Sequence, residues 1–225
     1  MKVKQIIFNN NLVVSICFFI DFNTEEILQE IMKTLKKCTR YLSIESDLGI
    51  GIKPTSDIFV KEKLQGVAGY TPCKDSILIS FYPGTKNWKK ILPITLTHEY
   101  NHALTYHYYP SPNTKEFKLL HGIISEGIAD NFTEDVIGRT APWVVKNSLR
   151  KYEKYFPKIK TMLNNNNLDV YNEIFLGTGK YPLWIGYSVG YWIVRTFLDK
   201  NPKKKWEEII KLSPYEILRE SGFNW

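Results

Sequence analysis

Two histidines four positions apart, His98 and His102, enclose a glutamate in the pentad His98-Glu99-Tyr100-Asn101-His102, and this spacing constrains the chain more than any other feature. On a helix, positions i and i+4 project from one face, so both imidazoles reach one ion when the segment is helical. The chain has four histidines in all, and two of them fall here. Ile91, Leu92, Ile94 and Leu96 precede the pentad and Ala103 and Leu104 follow it, which are the surroundings of a buried helix. Buried histidines and a buried glutamate need partners. Zinc held by both imidazoles, with Glu99 beside an activated water, is the partner this residue set predicts.

A zinc ion that does chemistry keeps three protein ligands and one open position. Glu126, in Ser125-Glu126-Gly127-Ile128-Ala129-Asp130, is the expected third ligand, far enough after His102 for one helix to end and a second to return. Pro110 and Pro112 supply the break between them. Glu126 and Asp130 share a helix face, so one carboxylate can bind metal while the other receives the N–H of a ligand histidine. Gly127 and Ala129 are small, and they are expected to let these two helices approach closely. A solvated acidic face is the alternative reading of the pair.

The pentad together with Glu126-Gly127-Ile128-Ala129-Asp130 resembles the gluzincin metallopeptidase pattern of thermolysin-like enzymes. That resemblance implies ligand roles for His98, His102 and Glu126, with Asp130 supporting them. The stretch from Gly66-Val67-Ala68-Gly69-Tyr70-Thr71 through the pentad to Gly186-Tyr187-Ser188-Val189-Gly190-Tyr191 is similar to bacterial domains named predicted zinc-dependent proteases, domain of unknown function 2268. The likeness covers most of the chain and implies a zincin-like peptidase with one zinc ion and a peptide or protein substrate. No G-x-M-E-N-like segment is found, so the exopeptidase apparatus of many gluzincin aminopeptidases is not expected.

With 225 residues, 44% of them hydrophobic, the chain can build one substantial core or two lobes. The net charge of +7 comes from dispersed lysines, and no zinc-finger spacing or aromatic-basic signature accompanies it, so nucleic acid is not an expected partner. Cys17, Cys38 and Cys73 are odd in number and widely spaced, which predicts reduced thiols and a cytoplasmic chain. Met1-Lys2-Val3-Lys4 and the apolar run Leu12 to Ile20 resemble parts of an export signal, but Asn9 to Asn11 interrupt them and no small-residue cleavage site follows. Leu12 to Phe22 is therefore read as a strand too short to span a bilayer, with an unusual export signal as the alternative.

Thr24 is the expected cap of a helix that buries Ile27, Leu28, Ile31 and Leu35. Ile50 to Ile52, Asp57 to Val60, Val67 to Tyr70 and Ser76 to Tyr82 read as short strands, the last either with an exposed edge for an extended peptide or as an ordinary buried strand. Leu183 to Leu198 reads as an apolar helix. The expected fold class is α+β: one zincin-like domain with a small N-terminal sheet and helices (1–86), zinc-binding helices (87–135) and a mainly helical C-terminal lobe (136–225), the active-site helix lying between the lobes.

In the expected mechanism Glu99 takes the proton of the zinc-activated water and later delivers it to the leaving amine. Tyr187 is the first choice to stabilise the oxyanion, with Tyr191 and His121 as weaker candidates and paired core tyrosines as the competing reading. His107 is expected at the helix end, and Arg195 either holds a substrate carboxylate or snorkels from its helix. The rival functional readings are a catalytically silent zinc-containing peptide-binding or regulatory domain and a hydrolase of non-peptide amides.

Overall fold

A computed structural model describes residues 2–7, 12–110, 114–144 and 149–223. Pro112 and Asn9 to Asn11, named above, lie outside the described residues. The strands are β1 (Lys2–Ile7), β2 (Val13–Phe18), β3 (Leu48–Pro54), β4 (Val67–Cys73) and β5 (Ser76–Phe81). The α-helices are α1 (Thr24–Cys38), α2 (Ile58–Lys63), α3 (Trp88–Thr105), α4 (Leu119–Ile137), α5 (Leu149–Tyr152), α6 (Phe156–Met162), α7 (Leu168–Phe175), α8 (Ile185–Lys200), α9 (Trp206–Ile209) and α10 (Pro214–Ser221). The fold is α+β, with the sheet in the N-terminal part and a mainly helical C-terminal part. Among the described residues no helix is long and apolar enough to cross a membrane.

The chain divides into two compact units, Met1–His107 with Phe132–Ala141, and Tyr108–Asn131 with Pro142–Trp225. In the first unit the strand order is β1-β2-β3-β5-β4. The inner three strands run parallel and the two edge strands antiparallel to their neighbours. Side chains alternate across a strand, so Val14, Ile16 and Phe18, Leu48, Ile50 and Ile52, and Ile77, Ile79 and Phe81 all point to one buried face. The register lines them up: Ile16 faces Ile50, which faces Ile77, and Phe18 faces Ile52, which faces Ile79. Each such side chain contributes about 1.5–3 kcal/mol by leaving water.

Helix α1 buries Ile27, Leu28, Ile31 and Leu35, and it carries Glu25 and Glu26 in its first turn and Lys36 and Lys37 in its last, matching the helix dipole at both ends. Its cap is Asn23 in the left-handed region rather than Thr24, which is already helical; no side chain caps the first turn. Helix α3 is buried nearly all round, since only Lys89, Lys90 and Pro93 escape full burial. Tyr100, on α3, donates to the Leu42 carbonyl at 2.6 Å and stacks on Phe132.

Two strand expectations need correction. Asp57 to Val60 is not a strand: Ile58–Lys63 is helical, and Asp57 caps it by accepting from the Phe59 N–H at 2.8 Å. Of the two readings of Ser76 to Tyr82, the exposed edge falls and the ordinary inner strand holds, because β5 is paired on both sides and the outer strand is β4. Lys2–Ile7, read only for its charge, is the other edge strand.

In the second unit, α4 and α8 meet at glycines. A Cβ on Gly127 would stand 2.2 Å from the Gly190 carbonyl oxygen, and one on Gly190 would stand 2.1 Å from that of Ile123. The small residue Gly127 therefore serves contact with α8. Buried Asn131 ties the same pair, donating to the carbonyls of Gly127 at 2.9 Å and Tyr191 at 3.0 Å. Gly186 admits the ring of Phe175 in the same way.

Candidate metal centre

Helix α3 presents His98 and His102 on one face, with their Nε2 atoms 3.0 Å apart and their rings nearly perpendicular. The His102 ring stacks on Tyr106, one turn further along, at 5.6 Å between centroids. One ring nitrogen from each histidine and one carboxylate oxygen of Glu126 all lie within 4.8 Å of one another, and all three residues are buried. Tetrahedral zinc with bonds of about 2.0–2.2 Å would hold its ligand atoms roughly 3.3 Å apart, close to the histidine spacing. Two imidazoles and a carboxylate are also zinc's preferred donor types, so the group fits this ion.

Glu99, also buried, is held from the sheet side. The Thr71 hydroxyl on β4 lies 2.7 Å from Glu99 Oε2 and 3.1 Å from the Glu99 carbonyl oxygen. Gly69, on the same face of β4, leaves a notch: a Cβ there would stand 2.3 Å from Glu99 Cγ and 2.5 Å from Oε1. Neither residue was assigned a role from the sequence, although the period-two spacing of Gly69 and Thr71 was available as a signal.

Asp130 is fully buried, and its Oδ1 accepts from the indole N–H of Trp143 at 3.0 Å. Trp143 also packs on the half-buried Tyr187 at 5.9 Å between centroids, while Phe175 meets Tyr187 edge-on at 5.1 Å. Trp143 is thus a further residue of this neighbourhood that sequence reasoning missed, and its position in an irregular segment gave no periodic signal.

The remaining candidates have partners of their own. Tyr191 is buried, and its carbonyl accepts from Asn131. His121 Nδ1 accepts from the Lys118 N–H at 2.9 Å among the rings of Phe117, Tyr109 and Tyr215. Burial, then the charge of Lys118, holds its pKa below the ordinary histidine value. His107 follows the end of α3 and lies 2.7 Å from Asp75, which also accepts from Ser46 at 2.6 Å. The guanidinium of Arg195 is engaged by Asp199 on its own helix, at 2.6 and 2.9 Å.

A buried His-His-Glu group defines a zinc-protein class of site, and comparison with known proteins agrees. Residues 27–219 match the family described as predicted Zn-dependent protease, domain of unknown function 2268, and the chain belongs to that family. It is similar to the uncharacterized protein YjaZ of Bacillus subtilis (strain 168), 29% identical over 112 residues. That match covers 47% of this chain and 42% of the relative. Zinc is the cofactor to which the family and the donor group both point.

Proposed function

We propose that this protein is a zinc-dependent peptide-bond hydrolase, a metalloendopeptidase in which His98, His102 and Glu126 hold the ion and Glu99 is the general base. The observation that carries the reading is the buried His-His-Glu group on the helix that also carries the restrained Glu99 carboxylate. Zinc, when bound, supplies Lewis acidity toward a carbonyl and lowers the pKa of water to about 7. Glu99 takes a proton from the attacking water and returns it to the leaving amine, so one carboxylate serves both halves of the reaction. Asp130, one turn after Glu126, orients a ligand histidine. Tyr187 donates to the developing oxyanion, its ring kept in place by Trp143 and Phe175. An extended peptide pairs along the outer edge of β4, where among the described residues no neighbouring strand faces the main-chain groups and Tyr70 is exposed.

The test is metal analysis joined to kinetics. Wild type should hold one zinc per chain and cleave unfolded casein; Glu99→Gln should keep the zinc and lose cleavage, whereas His102→Ala should lose both. Cleavage retained by Glu99→Gln overturns the assignment, and peptide binding without turnover in wild type identifies a silent zinc-containing binding domain instead.

A further inference from the structure

We infer that Thr71 is a positioning residue for Glu99, fixing one carboxylate oxygen so that the other is left to move the proton; the inference rests on the hydrolase reading above. The shorter of the two Thr71 contacts, 2.7 Å, goes to the side-chain oxygen Oε2, and the longer, 3.1 Å, to the Glu99 carbonyl. A threonine that only needed a partner for its own hydroxyl would be satisfied by the carbonyl. Both residues are buried, and a hydrogen bond to a carboxylate shielded from water is stronger than one between neutral groups.

The backbone fixes the donor's aim. Thr71 is β-branched, so its χ1 is stiff, and its strand is paired with β5 at Tyr70 opposite Leu78 and Cys73 opposite Ser76. The register shifts between these two pairs, and an irregularity of this kind re-aims the side chains within it. Gly69 completes the grip: Oε1 lies against the notch where a Cβ would stand, while Oε2 is held by the hydroxyl. The carboxylate is therefore oriented from the sheet, not only from its own helix.

Thr71→Val keeps the shape and removes the hydroxyl, and Thr71→Ser keeps the hydroxyl. With fluorescently labelled, unfolded casein, Thr71→Val should lower kcat about tenfold or more while KM and zinc content stay at wild-type values, because small misplacements of a reacting group are costly. Thr71→Ser should recover most of that loss. A kcat for Thr71→Val within about twofold of wild type, or an equal loss in Thr71→Ser, overturns the inference. A second measurement is independent of turnover: Thr71→Val should lower the Tm of wild type by more than it lowers that of Glu99→Ala, where only the bond to the residue 99 carbonyl is left to lose. Equal shifts in both backgrounds overturn the positioning role. If wild type cleaves nothing, the hydrolase reading fails, and the Tm cycle still decides the contact between Thr71 and Glu99.

Discussion

The indole N–H of Trp143 donates to Asp130 Oδ1 at 3.0 Å, and the same ring packs on Tyr187. One side chain thereby orders both the buried carboxylate one turn after the candidate ligand Glu126 and the tyrosine proposed for the oxyanion. Trp143→Phe keeps an aromatic ring but strands Asp130 Oδ1 without this donor. It should cost about 1–3 kcal/mol of stability, read as a lower midpoint in urea at unchanged slope. A midpoint equal to wild type would show that the bond contributes nothing net.

Gly127→Ala and Gly190→Ala should each destabilise by about 1–3 kcal/mol or more, since the new methyl groups meet backbone oxygens at 2.2 and 2.1 Å that cannot swing aside. Gly49→Ala is the control, because its nearest neighbour is 3.8 Å away. Chemical denaturation of the three variants side by side separates close helix packing from the general effect of replacing glycine.

The thiols should react in a fixed order. Burial pushes the pKa of Cys38 up to about 12, despite its contact with Thr97, whereas Cys73 is exposed. At pH 8 Cys73 should be labelled promptly by a thiol reagent and Cys38 only after denaturant is added. The raised folded value also stabilises the fold below the unfolded pKa of 9.0, and that contribution is lost as pH rises from there toward 12. Early labelling of Cys38 in the native protein would contradict its enclosure.

His121 should make the fold acid-sensitive. Its pKa is lowered, so the unfolded chain binds the proton more readily than the folded one. The neutral ring's contribution is complete above the unfolded value of about 6.5 and is lost as pH falls through the folded value. His121→Gln should therefore show a shallower fall in urea midpoint between about pH 7 and 5 than wild type. Parallel pH dependences would remove His121 from the account.

Some of this was legible from residue order and some was not. The pentad, Glu126 and the buried face of α1 are helical-period patterns within single elements, and the structure has each as a helix with these residues buried. Asp57 to Val60 misled because a run of four residues carries no period, and the deciding interaction was a cap. The sheet order failed because pairing is not local: β4 follows α2 in sequence yet lies outside β5. Thr71 and Trp143 were invisible as site residues for the same reason. Each is joined to Glu99 or Asp130 by hydrogen bonding between different elements, and sequence order does not name that partner, although Thr71 carried the period-two signal of its strand.

The missing side chain at Gly69 offers a practical handle. Gly69 has no left-handed backbone requirement, so alanine is conformationally allowed there, and the new methyl would press first on the Glu99 side chain, at Cγ, Oε1 and Cδ. Gly69→Ala would keep every charge and every proposed metal ligand while turning the proposed base away. Such a variant should act as a substrate trap, retaining zinc and engaging unfolded polypeptide without releasing fragments. Mass spectrometry of polypeptides recovered with the variant from a mixed pool would then identify natural substrates, which Glu99→Gln, by altering the charge beside the ion, is less suited to capture.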